Sequence, residues 1–114
     1  KESMILSRGP DKCISAYPLS EWKKLADSLT ARAVGRTDLR KLNRAIFGSA
    51  FSVSFDKQGR LILPPKLREY AEITDEIVIV GVNNTVELWN SVLWIEEKKK
   101  SDEQVSQIIE NLEA

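Results

Sequence analysis

Histidine is missing from the 114 residues, and cysteine occurs once, at Cys13. Without histidine the chain cannot hold a Ser-His-Asp relay, a Cys-His pair or an imidazole metal ligand. A lone cysteine closes no disulfide within the chain, a usage that suits a reducing compartment. No apolar run approaches the ~20 residues that a membrane-spanning helix needs. A Gly-rich phosphate loop, a metal-ligand cluster and a nucleophile–base pairing are lacking too, so the sequence predicts neither an enzyme nor a cofactor. With 42% apolar residues, the chain is long enough to bury one core without a disulfide or metal. These features predict a soluble, cytoplasmic protein.

Net charge is zero, seventeen basic against seventeen acidic residues, but its distribution is uneven. Residues 23–70 carry eleven basic and four acidic side chains, whereas residues 71–114 carry three and ten. A positive field focused on one face attracts a polyanion whatever the total charge. The plainer reading is that such runs merely solvate helices.

Along the chain, Met4-Ile5-Leu6 reads as extended, followed by a loop signal over residues 8–12 and a second extended stretch from Cys13 to Tyr17. Pro18 is expected to open a helix with Leu19, Trp22, Leu25, Ala26 and Leu29 on one side. Residues 30–36 are expected to connect it to a second helix, capped by Thr37 and stopped by Gly48. Phe51-Ser52-Val53-Ser54-Phe55 alternates as a strand, and Asp56-Lys57-Gln58-Gly59 forms a turn. Leu61-Ile62-Leu63 is expected to return as a strand, with Pro64 its stop and Pro65 the start of a short helix. Residues 76–82 and 85–89 predict a hairpin across Asn83-Asn84, followed by a helix from Ser91. Ser101-Asp102-Glu103-Gln104 resembles a capping box for a last helix bearing Val105, Ile108, Ile109 and Leu112.

An internal repeat at an offset of 72 organises these elements. Ile5 falls on Ile77, Leu6 on Val78, Gly9 on Gly81 and Asp11 on Asn83. Ile14 falls on Val86, Tyr17 on Trp89 and Trp22 on Trp94. The register predicts a duplicated hairpin-plus-helix. The second copy is preceded by a strand-turn-strand unit over residues 51–64, and the first is not. The equivalent of Asp56 would lie about 16 residues before Lys1, so the expectation is an N-terminally shortened chain. Residues 1–30 would then be the remnant of a first half, 31–50 a basic helical connection, 51–100 the second half and 101–114 a C-terminal amphipathic helix.

The turn from Asp56 to Arg60 is the leading candidate site. A carboxylate at the first turn position accepts backbone N–H groups and can brace an arginine four residues on. A braced guanidinium fits phosphate, or guanine O6 and N7, with two hydrogen bonds. An exposed hairpin-end ion pair is the alternative, worth only ~0–1 kcal/mol. Lys57 at the turn tip suits a phosphate contact. Lys66 and Arg68 follow on the short helix, with Arg68 equally placed to pair with Glu72. Arg36, Arg40 and Arg44 recur every four residues and share a helix face, suited to DNA backbone or to an acidic neighbouring subunit. Trp22, Trp89 and Trp94 read as core or interface anchors and Cys13 as a buried small hydrophobe.

Arg8-Gly9 with Asp11 and Cys13, Tyr17-Pro18-Leu19 with Trp22, and the run from Asp56 to Pro64 together resemble the MraZ family of bacterial transcriptional regulators. So do Leu67 to Ala71, Val80-Gly81-Val82 and Val86 to Trp89. The resemblance implies an α+β fold, a double swapped-hairpin barrel of the AbrB-like kind with peripheral helices, its first half incomplete here. It also implies a homo-oligomeric ring, nucleoid-associated, binding double-stranded DNA at repeated promoter sites ahead of the division and cell-wall gene cluster. The family's Asp-x-x-x-Arg signature falls on Asp56 and Arg60. A swapped-hairpin scaffold of antitoxin-like type, holding a protein partner, is the alternative.

Overall fold

A computed structural model describes residues 3–31 and 35–113. The elements are β1 (Ser3–Arg8), a single 3-10 turn (Pro10–Lys12), β2 (Ile14–Pro18), α1 (Leu19–Ala31) and α2 (Arg36–Ile46). They continue with β3 (Phe51–Ser54), α3 (Pro65–Tyr70), β4 (Ile77–Val82), β5 (Thr85–Asn90) and α4 (Ser91–Glu113). The architecture is α+β: five strands form one antiparallel sheet in the order β3-β1-β2-β5-β4. The sheet is open, with β3 and β4 at its edges.

The repeat is built into the sheet. At its centre β2 pairs with β5, and Ile14 faces Leu88, Ser15 faces Glu87 and Ala16 faces Val86. Ser15 and Glu87 are repeat equivalents, and the two flanking pairs exchange equivalents across them. A pseudo-two-fold axis therefore passes between Ser15 and Glu87. The local geometry follows the same symmetry. Asp11 and Asn83 both adopt a left-handed φ of 57° in their hairpin turns. Tyr17 and Trp22 place their ring centroids 5.3 Å apart at 57°, and Trp89 and Trp94 repeat this at 5.5 Å and 55°.

One sheet face builds the main core. Leu6, Ile14, Ala16 and Leu88 pack there with Leu67 of α3 and with Ala71 and Ile73 just beyond it. Pro65 starts α3 without wasting a donor, and the helix is so placed that Leu67 is 1% exposed. On the other face the aromatic pairs tie α1 to β2 and α4 to β5. Ser7 donates its hydroxyl to the Ile46 carbonyl at 2.9 Å and fastens the end of α2. An apolar cavity of about 480 Å³ remains open beside the edge, lined by Phe55, Leu61, Leu63, Ile77, Ile79 and Leu88 among others.

Several local expectations are corrected. Leu61-Ile62-Leu63 is not a strand. Leu61 and Leu63 pack against the core while Ile62 is 86% exposed, so the alternation is real. No ladder forms because the limb's backbone bond to β3's side is confined to the closed end, from Asp56 N–H to the Arg60 carbonyl at 2.7 Å. Pro18 ends β2, facing Met4, and α1 begins one residue later. Gly35, not Thr37, occupies the cap position of α2. Much of the expected connection over residues 30–36 lies outside the described residues. Gly48 follows the helix end as expected, where a side chain would collide with the Arg44 carbonyl. Ser101 caps no new helix, since α4 runs unbroken for 23 residues. Its hydroxyl donates back to Glu97 at 3.1 Å, Lys98 pairs with Asp102 at 2.9 Å, and neither Gly nor Pro interrupts the segment. The cap of α4 is Asn90, whose Oδ1 accepts the N–H groups of Val92 and Leu93.

Two predictions follow from this packing. Leu67→Ala should lower unfolding stability by about 2–5 kcal/mol, because α3 collapses poorly onto the space left behind; a urea melt of both proteins measures it. Cys13 is fully buried, and burial, then the negative charge of Glu87, push its thiol up to about 12. The native protein should therefore resist a disulfide reagent at pH 8 and react only when denatured, whereas rapid native labelling would contradict the burial.

Candidate nucleic-acid interface

β3 delivers the chain to a turn that projects from the sheet edge. Gly59 lies there at φ 77°, in the left-handed region that glycine enters without strain, and its N–H donates to the Asp56 carbonyl at 3.1 Å. Closure of the turn aims the Asp56 carboxylate inward along the chain. Its Oδ1 accepts the N–H groups of Gln58 and Arg60, both at 2.8 Å. Its Oδ2 accepts the Arg60 Nε–H at 3.0 Å.

The arrangement is one-sided. Asp56 engages only the Nε edge of the guanidinium, so both terminal nitrogens of Arg60 lack a partner among the described residues. The Arg60 side chain is 73% exposed, yet held by a neighbour in its own turn. Those two nitrogens present the fork that grips a phosphate or the O6 and N7 acceptors of guanine. The backbone N–H of Arg60, then that of Gln58, hold the Asp56 carboxyl below the ordinary carboxylate range, with the Arg60 side chain contributing. Burial opposes the shift without overcoming it.

Asp56, Lys57 and Arg60 thus share one turn, with Lys57 exposed near its tip. Lys66 and Arg68 do not join them; both lie on α3, at exposed positions. Arg68 does not pair with Glu72, which instead meets Lys12 at 3.4 Å. Arg36, Arg40 and Arg44 are all exposed on α2 and make no ion pair among the described residues. Arg8, named from the sequence as a carrier of the resemblance but not as a site residue, lies with its guanidinium carbon 4.4 Å from the Tyr70 ring centroid. Its position beside Gly9 in a strand-end turn carried no signal of that contact. Among the described residues no group of three or more His, Cys, Asp or Glu is placed to hold a metal, and no helix is long and apolar enough to cross a membrane.

An antiparallel α+β sheet with a duplicated hairpin, presenting a carboxylate-braced arginine on a turn, defines the class of fold and site. A family profile described as "MraZ protein, putative antitoxin-like" matches residues 46–112. The protein called Transcriptional regulator MraZ in Dehalococcoides mccartyi strain BAV1 is 52% identical over 114 residues, covering 99% of this chain and 80% of that relative. The protein of the same name in Pediococcus pentosaceus is 41% identical over 110 residues, covering 96% and 77%. The chain belongs to the MraZ family.

The turn carries a pH signature. Folding favours the ionised form of Asp56, so the brace contributes fully above the ordinary Asp range and is lost as pH falls through its lowered pKa. NMR titration of the Asp56 carboxyl should place its midpoint below the ordinary Asp range, and the Arg60 Nε–H signal should shift with the same midpoint. A normal Asp56 midpoint would mean that the brace does not form in solution.

Proposed function

We propose that this chain is a sequence-specific DNA-binding transcriptional regulator, and that Arg60 reads bases from the Asp56–Arg60 turn. The observation that carries the reading is the one-sided brace: Asp56 occupies Nε and leaves both terminal nitrogens of an exposed guanidinium available. Lys57 beside it would contact backbone phosphate and set the register of the turn on the duplex. Lys66 and Arg68 would add flanking phosphate contacts from α3. Kinship with proteins named transcriptional regulators supports the role in transcription. The targets implied by the family resemblance are the division and cell-wall gene cluster and the chain's own promoter, with the protein cytoplasmic and nucleoid-associated.

We infer further that the open sheet closes into a double swapped-hairpin barrel in a homo-oligomer, a ring. Ile79, 66% exposed on edge strand β4, and the apolar cavity beside it support this, because an unpaired apolar edge favours strand addition. In a ring, several turns of modest affinity would meet repeated promoter sites together and bind tightly where the spacing matches. A second reading, an antitoxin-like or scaffold module, draws on the exposed stripe Val105, Ile108, Ile109 and Leu112 of α4 and on the family description.

Arg60→Ala should weaken binding to a promoter duplex by about 1–3 kcal/mol per base contact while thermal stability and particle size stay unchanged. Lys57→Ala should weaken promoter and scrambled duplexes alike and reduce the salt slope by about one. Fluorescence anisotropy at two salt concentrations measures both. A wild-type chain that binds the two duplexes equally, with no loss in Arg60→Ala, would leave the scaffold reading in place.

A further inference from the structure

A second concave site lies away from the Asp56–Arg60 turn. The end of β1, the last turn of α2, the start of β3 and the exposed face of α3 enclose a cleft of about 570 Å³. Arg8, Arg44 and Lys66 line it, with Phe51 and Tyr70 as walls and Glu69 as its single carboxylate. None of residues 56–60 does. Fifty-eight residues of chain separate Arg8 from Lys66, so the fold alone brings these cations together.

The cleft is built and electrostatically unbalanced. Arg8 is stacked on the Tyr70 ring at 4.4 Å, and the Tyr70 hydroxyl donates to the Gly9 carbonyl at 2.7 Å, which fixes both side chains. Arg44 and Lys66 have no side-chain hydrogen bond or ion pair among the described residues, and Glu69 neutralises none of the three cations directly. Three cations against one carboxylate leave two positive charges facing the same hollow. A phosphomonoester carries about −1.5 to −2 at neutral pH, whereas a backbone phosphodiester carries a single charge. The volume lies within the ~300–1,000 Å³ of small-ligand pockets, and Phe51, 38% exposed, offers an apolar surface to an organic body.

We propose that this cleft binds the phosphate of a small phosphomonoester ligand, held by Arg8, Arg44 and Lys66. Arg8 is preorganised on its ring, and Arg44 and Lys66 close on the oxyanion from α2 and α3. Glu69, at the rim of charge, accepts a hydroxyl from the ligand's body and disfavours anions with more negative charge. Because α2 carries much of the basic stretch and α3 carries core residue Leu67, an occupied cleft would link two helices that both contact β1.

The test uses the full chain and calorimetric titration with AMP, inorganic phosphate and adenosine. AMP and phosphate should bind saturably at one site and compete, and adenosine should not bind. Arg44→Gln and Lys66→Gln should each weaken AMP about tenfold, the loss expected for a charge-assisted contact, while Lys23→Gln on α1 should not. Arg44→Lys, which keeps the charge, should retain most of the affinity and covers the case in which Arg44→Gln fails to fold. Absence of saturable AMP binding overturns the proposal. So does an equal effect of Lys23→Gln, which would show diffuse attraction. If Arg44→Gln and Lys66→Gln weaken only duplex DNA and AMP does not bind, the cations serve a backbone phosphodiester and the small-ligand site is refuted. Promoter binding by the Asp56–Arg60 turn is scored separately through Arg60→Ala, so either reading can fail alone.

Discussion

The pairing of β2 with β5 about Ser15 and Glu87 is the constraint on which the structure depends. It joins the two copies of the repeat into one sheet and sets which side chains reach each face. Ile14, Ala16 and Leu88 go to the core shared with α3, while Ser15, Glu87 and Trp89 go to the face of the aromatic pairs. A slip of one residue would exchange those sets and place a carboxylate in the apolar core. The axis also explains the polar content of the second face. Glu87 accepts the Trp89 indole N–H at 2.9 Å, and its charge adds to the burial that disables Cys13. Buried polarity here is satisfied rather than reactive: among the described residues no buried side-chain polar atom lacks a partner.

Charge segregation has a structural counterpart. The basic excess of residues 23–70 is spread over α1, α2, the Asp56–Arg60 turn and α3, whereas α4 carries six acids against three lysines. The chain thus has differently charged extremities on a nearly symmetric sheet. Symmetry of the backbone and asymmetry of the surface come from the same repeat, because equivalent positions keep their apolar and turn residues and let the exposed ones diverge. Ser15, buried, and Glu87, half-buried, show that divergence also reaches the axis inside the fold.

What was legible in the sequence was what is decided locally. The hairpin across Asn83 follows from a residue that tolerates positive φ, and the Asp56 turn from a carboxylate and a glycine at fixed spacing. The repeat was legible because both copies solve the same local problem with the same aromatic pair. Alternation at Leu61-Ile62-Leu63 reports which side is buried, not whether a strand lies alongside, so a limb without a ladder reads as a strand. Ser101 carries the letters of a cap, but a cap requires the helix to begin there, and the i to i+4 pairs across residues 97–102 carry α4 through. The cleft of Arg8, Arg44 and Lys66 was illegible for a different reason: each residue is unremarkable alone, and only tertiary packing makes them neighbours.

The brace at Asp56 also changes when an entropic cost is met. A free arginine carries about 2 kcal/mol of rotamer freedom, much of which is surrendered when it grips a planar acceptor. Here the Nε–H bond and the two backbone bonds to the same carboxylate order the guanidinium while the protein folds. Encounter with an acceptor, as proposed for this turn, would then begin from a side chain already aligned, and less of the attraction would be consumed in arranging it. The cost has moved from the complex to the free protein, where one glycine at φ 77° keeps the turn tight enough to sustain it. On the proposed reading, Gly59 would touch no acceptor, yet it would help to set how much of Arg60's reach is realised as affinity.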